Sequence, residues 1–501
     1  MKHPSATVVL LPVLALVLVA LGAACGADET GEESSSQPPA PEPTVQSTPA
    51  PTPEATAGPD PSPQPGSGAD AGGPAREQLD WFVAALNASA PPSPAELDAR
   101  FAPAFLAVVP PDQLVAGAAE MTAAMAPPIT IESVTPAGDD GLALDAVLVS
   151  ADGDARLAVS LVVGAVEPHL IEGLVGRPDV VLEFPVGLTA DDLDATLAGL
   201  AAESGLGVYD VTAGECVVLH EIRADRPVAL GSVFKLWLLA ELADQVAAGD
   251  AAWDETVRVE DRLKSSPGGE VFAMAPGTEI SLEELAMAMI SISDNSATDH
   301  LLARLGRENV EAVLDRIGVV DAAANVPMLS TQALFQLKFV AEAPNADDWR
   351  GLDQAGRRTL LAEIDDAVLP WVADPESIDL INADGVPIDQ PRDLDLGWFA
   401  TPADLCRTLT YLADQAERPG LEPVATILEA NAGEGLPFDR DRWPTIRFKG
   451  GSEPGVVAGA WWFEGVDGRR YVVAGGLADP DTPVSEIDGA LALASAITLV
   501  E

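Results

Sequence analysis

Near the start of its globular part the chain repeats apolar residues at helical spacing. Leu79, Phe82, Val83 and Leu86 share one face of REQLDWFVAALN, which predicts a helix. PSPAELDARFAPAFLAVV predicts another, capped by Ser93, and PDQLVAGAAEMTAAM a third. After Pro128 the period changes to two. ITIESVTPAGDDGLALDAVLVSADGDARLAVSLVVG predicts three strands, with turns at Gly138-Asp139-Asp140-Gly141 and Ala151-Asp152-Gly153. Helices followed by an antiparallel sheet make an α+β unit over residues 76–178. A second unit is expected over 179–501. TADDLDATLAGLAAES predicts a helix, LGVYDV and ECVVLHEI two strands, and GSVFK the opening of the apolar helix LWLLAELADQVAA. A long, mainly helical middle follows. TIRFKGG, VVAGAWWFEG and RRYVVAGGL then predict three strands, with a hairpin turn at Asp467-Gly468, before a last helix over SEIDGALALASAITLV. The second sheet is thus built from both ends of its unit, with helices between.

The first 75 residues fit neither period. Residues 1–25 combine a short basic start (Lys2, His3), the apolar run VVLLPVLALVLVALGAA and Cys25, an export signal. It resembles a bacterial lipoprotein signal. The resemblance implies a lipid on Cys25 and a chain anchored to the outer face of the cell membrane. Gly22 stands where such signals carry leucine, with Leu21 one place early. Residues 26–75 are rich in Pro, Ser, Thr and acid, and predict a disordered, extended linker.

The whole chain of 501 residues has 79 acidic and 27 basic side chains, a formal net charge of -52. So negative a surface repels phosphate backbones and argues against nucleic-acid partners. Besides Cys25 there are only Cys216 and Cys406, which can pair or stay as two buried thiols; the sequence leaves both open. Four scattered histidines and no Cys/His cluster argue against a metal site, and nothing calls for a cofactor. The 76–178 unit resembles the cone-shaped fold of nuclear transport factor and steroid isomerase relatives. No acid or histidine in it stands out as catalytic, so a binding or spacer role is expected.

The chemistry concentrates in three places. Ser232 opens an apolar helix, and Lys235 lies three residues on along the same face. A serine there is either a cap or a nucleophile activated by an amine whose pKa is lowered. Ser281 and Glu284 form a capping box at the start of SLEELAMAMISISDNSATDHLLARLG. Inside that region Ser293-Asp294-Asn295 sets polar groups in an apolar run, where leaving each unpaired costs about 1–3 kcal/mol, so they are expected to face a cleft. Lys449-Gly450-Gly451 ends a strand near the C-terminus.

S-x-x-K, S-D-N and Lys-x-Gly in this order resemble the motif set of serine β-lactamases and penicillin-binding proteins. The resemblance covers roughly 180–501 and implies the class A β-lactamase fold. It implies Ser232 as acylated nucleophile, Lys235 as proton acceptor, Ser293 as proton relay, Asn295 as orienting group and Lys449 as holder of an anionic substrate group. Backbone amides of Ser232 and Ser452, with Gly450 and Gly451 leading the strand to them, would form an oxyanion hole. The substrate would be a small acyl compound, an ester or a β-lactam.

Two departures matter. The third motif is KGG, so Gly450 lacks a hydroxyl. The segment AAANVPMLSTQALFQLKFVAEAP carries no Glu-x-x-x-Asn, the base that clears the acyl-enzyme in the family. Slow or absent β-lactam turnover is therefore expected. With ALGSVFKLW, PMLSTQALFQLKF, LGWFATPADLC and KGGSEPGV, the chain resembles the two-domain esterase-like protein of clavulanic-acid gene clusters and lipoproteins of actinobacteria. An esterase or amidase is the reading. The alternatives are a true β-lactamase with another base, and a non-catalytic penicillin- or peptidoglycan-binding lipoprotein.

Overall fold

A computed structural model describes residues 73–500, apart from 89, 126, 139–140, 154, 179–181, 267–268, 341–343, 374–388 and 434. The expected signal, Cys25 and nearly all of the linker lie outside the described residues. The chain divides into two compact units, Met1–Val181 and Leu182–Glu501.

In the first unit helices α1 (Pro74–Leu86), α2 (Pro94–Asp98), α3 (Pro103–Val108) and α4 (Pro111–Ala124) precede a four-stranded antiparallel meander. Its strands are β1 (Thr130–Pro136), β2 (Ala143–Val149), β3 (Arg156–Val163) and β4 (Ile171–Pro178). The predicted face of α1 is buried at Leu79, Phe82 and Leu86 against Leu148, Val159 and Leu161 of the sheet. The second predicted helix is two short ones. Pro103 lacks an N–H and opens a new helix at its first position. Ser93 caps α2 through a full capping box with Glu96. The strand β4 was not expected, because IEGLVGRP carries two glycines and a proline and weakly alternates.

The second unit begins with α5 (Ala190–Leu200), β5 (Glu203–Asp210), β6 (Val217–Ile222) and β7 (Val228–Ala229). The predicted first helix stops at Leu200, and Glu203-Ser204 already belong to β5. A 3₁₀ turn over Gly231–Phe234 leads into α6 (Lys235–Ala248). Then come β8 (Thr256–Arg258), α7 (Glu270–Ala273), β9 (Glu279–Ser281), α8 (Leu282–Ser291), α9 (Asn295–Leu305), α10 (Arg307–Ile317), α11 (Thr331–Phe339), α12 (Ala346–Arg350), α13 (Gln354–Asp365) and α14 (Pro370–Ala373). β10 (Phe399–Ala400), α15 (Pro402–Ala416), α16 (Pro423–Glu429), β11 (Thr445–Glu453), β12 (Val456–Glu464), β13 (Arg470–Ala478) and α17 (Glu486–Ser495) complete the unit.

The main sheet runs β11-β12-β13-β5-β6, antiparallel throughout, so strands from both ends of the unit meet at β13 and β5. Its two faces bury different layers, as period-two alternation requires. Leu206 and Val208 pack with α5 and α17, whereas Tyr209 and Val211 join the larger core around α6. Leu236 to Ala240 of α6 have no exposed surface, so this helix is the axis of the domain. Trp398 stacks flat on Phe234 with ring centroids 3.6 Å apart and fixes the turn that carries Ser232.

Cys216 and Cys406 are joined in a disulfide, with Cα atoms 6.2 Å apart. It ties the approach to the edge strand β6 to α15 across 190 residues of chain. Reduction, or replacing both cysteines by serine, is expected to lower unfolding stability by about 2–5 kcal/mol, measured by urea titration with and without reductant.

Candidate active site

Gly231 enters the 3₁₀ turn with a φ of 47°, a left-handed value that glycine adopts without strain. In a 3₁₀ turn residues i and i+3 eclipse, so Lys235 follows directly beneath Ser232. Ser232 is partly exposed and lies inside the turn, whose N-cap position is Leu230, while Phe234 holds that of α6. Ser232 is therefore not the cap of either helix. The first amides of such a turn have no partner inside it and point outward.

The single apolar helix expected around Ser-Asp-Asn is two. α8 ends at Ser291, and α9 starts at Asn295 with Asp294 as its N-cap. Asp294 accepts from Ala297 N and from Val271 N, both at 2.9 Å. Ser293 between the helices has a φ of 61°. For a non-glycine residue this is a strained conformation, of the kind that re-aims a side chain. The Ser293 hydroxyl thus leaves the helical stack and meets two amines. Lys235 Nζ lies 3.1 Å from Ser293 Oγ and Lys449 Nζ 3.0 Å from it.

Lys235 has no exposed surface and donates to Ser293 O at 2.6 Å and Asn295 Oδ1 at 2.7 Å. Asn295 is itself oriented by donating to Ser266 O at 2.7 Å. Burial, and then the neighbouring Lys449, push the Lys235 ammonium well below its usual range; Asp299 and Asp294 pull partly back. Lys449 is 3% exposed, donates to Gly450 O at 2.7 Å, and is pushed down to about 7 by burial. Neither amine makes a salt bridge among the described residues, in a chain with a large excess of acid.

Gly450, Gly451 and Ser452 lie within β11, which runs along the Ser232 turn. A Cβ on Gly451 would stand 2.2 Å from Leu230 O and 2.5 Å from Ser232 N. Any side chain there would push the strand off the turn, so close approach demands glycine. A Cβ on Gly231 would stand 2.9 Å from Ser452 N, so the backbone at Ser452 passes close to the turn that carries Ser232.

The structure therefore brings together Ser232, Lys235, Ser293, Asn295, Lys449 and the Gly450–Ser452 backbone. Sequence reasoning missed the floor beneath them. Asp299, buried in α9, accepts from Thr331 N and Gln332 N at 2.8 Å each and so caps α11 from outside. Burial raises its carboxyl to about 7 against these amides, which hold it down. Thr331 Oγ1 donates to Asn295 O at 3.2 Å. At the other end of α11, Lys338 Nζ pairs with Glu453 Oε2 of β11 at 2.7 Å, its side chain having no exposed surface. A lysine alone in the apolar LFQLKF was the available signal.

Residues 189–354 match the family model described as the beta-lactamase enzyme family. The match lies within the second unit, residues 182–501. Ahead of it, residues 72–166 match the model of the ORF 12 gene product N-terminal region. No curated protein matches the chain. Among solved structures, the chain is similar to a β-lactamase from Sphaerobacter thermophilus, at 19% identity and a TM-score of 0.42 over 62% of this chain and 98% of that one. PBP-A is similar at 17% and 0.40, over 64% and 99%. A β-lactamase from Chitinophaga pinensis is similar at 14% and 0.40, over 62% and 98%.

Proposed function

We propose that the chain is an exported hydrolase that works through an acyl-Ser232 intermediate and cleaves esters or amides faster than it turns over β-lactams. What carries this reading is Ser293 Oγ, held between two buried amines, one of which, Lys235, ends the turn that carries Ser232. Lys235, depressed by burial, is neutral often enough to take the Ser232 proton as Oγ attacks the acyl carbonyl. The amides of Ser232 and Ser452 take the developing oxyanion, each donor of this kind being worth about 2.7–4 kcal/mol. Ser293 passes the proton from Lys235 to the leaving group. Asn295 keeps Lys235 aimed, and Lys449 receives an anionic group of the substrate.

α11 occupies the segment expected to lack the family's glutamate, and its sequence TQALFQLKF has no carboxylate. This supports weak β-lactam turnover. The test is time-resolved intact mass of the protein with a chromogenic cephalosporin and, separately, p-nitrophenyl acetate. A lasting adduct on Ser232 with little ring opening, together with ester hydrolysis, is expected. Rapid ring opening would instead make it a true β-lactamase, and neither adduct nor hydrolysis a non-catalytic binder.

Export and lipidation at Cys25 complete the proposal. The disulfide supports an oxidising compartment. An unmodified mature N-terminus in the mass spectrum would refute the anchor.

The Lys449 ammonium, with a pKa of about 7, gives a pH signature. It is charged below that pH and neutral above it. KM for an anionic ester is expected to rise as pH passes from 6 to 8, while KM for a neutral ester stays flat.

A further inference from the structure

The site as described acylates but shows no group that clears the acyl-enzyme. Its nearby carboxylates are Asp294, Asp299 and Glu453. Asp294 and Asp299 each spend both oxygens on backbone amides that cap α9 or tie down α7 and α11. Glu453 is different. It lies on β11, whose alternate residues Lys449, Gly451 and Glu453 share one face. Ile446 and Phe448 belong to the opposite layer. Gly451 touches the Ser232 turn, and Glu453 follows it roughly 7 Å along the strand. One of its oxygens meets Lys338; the other has no hydrogen bond among the described residues.

α11 fixes this arrangement. Its N-terminus is held on the helical wall by Asp299 and Asn295, and its C-terminal Lys338 on the sheet wall by Glu453. The helix thus spans from α9 to β11 and sets a buried cation against Glu453.

We infer that Glu453, held by Lys338, is the general base that activates the deacylating water. The inference rests on the acyl-Ser232 reading and supplies its missing step. Water attacks the acyl carbon, and its proton goes to a Glu453 oxygen. As the carbon–Oγ bond breaks, the proton held by Glu453 passes through solvent and the neutral Lys235 to Ser232 Oγ, and the acid leaves. Water has then been split between acyl group and serine, with Lys235 again neutral and Glu453 again a carboxylate.

The test uses the full chain and p-nitrophenyl acetate, followed by the burst of p-nitrophenol and by intact mass. Glu453→Gln should keep the burst rate within a few-fold and slow deacylation by about 100-fold or more, so that acetyl-Ser232 accumulates. Deacylation at the wild-type rate in a folded Glu453→Gln protein overturns the inference. Should that variant fail to fold, Glu453→Asp keeps the charge facing Lys338 but draws the carboxylate back by one methylene. Slower deacylation with an intact burst then supports the inference, and an unchanged rate overturns it. A wild-type protein with neither burst nor acetyl adduct removes the acyl-Ser232 reading itself, and this inference with it.

Discussion

Ser232→Ala is expected to remove ester hydrolysis by a factor of about 10³ or more and to abolish every covalent adduct, while leaving stability almost untouched. The double readout separates the two roles a serine can have at a helix start. A capping serine replaced by alanine costs about 1 kcal/mol of stability and no chemistry. Ser232 is not at a cap position, is partly exposed, and lies in a turn entered through Gly231 and packed by Trp398 stacked on Phe234. Its loss should therefore change the unfolding free energy by less than about 0.5 kcal/mol. The measurements are steady-state hydrolysis of p-nitrophenyl acetate, intact mass after incubation with a penicillin, and a urea titration. Full loss of activity with an unchanged midpoint is the expected pair. Retained activity would move the nucleophile elsewhere.

The parts legible in the sequence were those with strong local signals. Period-two runs marked β5, β6 and β11 to β13, and the cap at Ser93 and the capping box at Ser281 stand as read. The three motifs were readable because each pairs a chemical group with a local break: a glycine before Ser232, polar residues within an apolar run, glycines after Lys449. The break at Ser293 was not legible, since a left-handed residue between two helices leaves the apolar period running through. β4 was hidden by its glycines and proline. The pairing of Cys216 with Cys406 depends on α15 packing near the approach to β6, and no local pattern encodes that. Lys338 and Glu453 were missed for the same reason: their partnership joins residues 115 positions apart. Asp299 looked like one more helical acid, although it holds α11 in place.

Lys235→Met tests the proton transfer and the electrostatics together. Methionine fills nearly the same volume, so the core around α6 should stay packed. The variant loses the amine that takes the Ser232 proton, and acylation is expected to slow by about 10²–10⁴-fold. Ser293 O and Asn295 Oδ1 lose a donor, which opposes the gain from removing a desolvated amine. The pH dependence of stability resolves the two. In the unfolded chain a lysine titrates near 10.4, whereas the folded Lys235 amine is held well below this by burial and by Lys449. Between the two values the unfolded chain binds a proton that the folded protein does not, so stability rises with pH across that window. Lys235→Met should flatten this rise, because one of the two buried amines no longer titrates; the remaining slope, from about pH 7 upward, belongs to Lys449. Urea midpoints at pH 6 to 10 measure it. An unaltered slope with unaltered acylation would mean that the Lys235 amine is neither desolvated nor used. A flattened slope with slow acylation would tie the depressed amine to the chemistry, because the same burial that penalises its charge leaves it a lone pair with which to receive the serine proton.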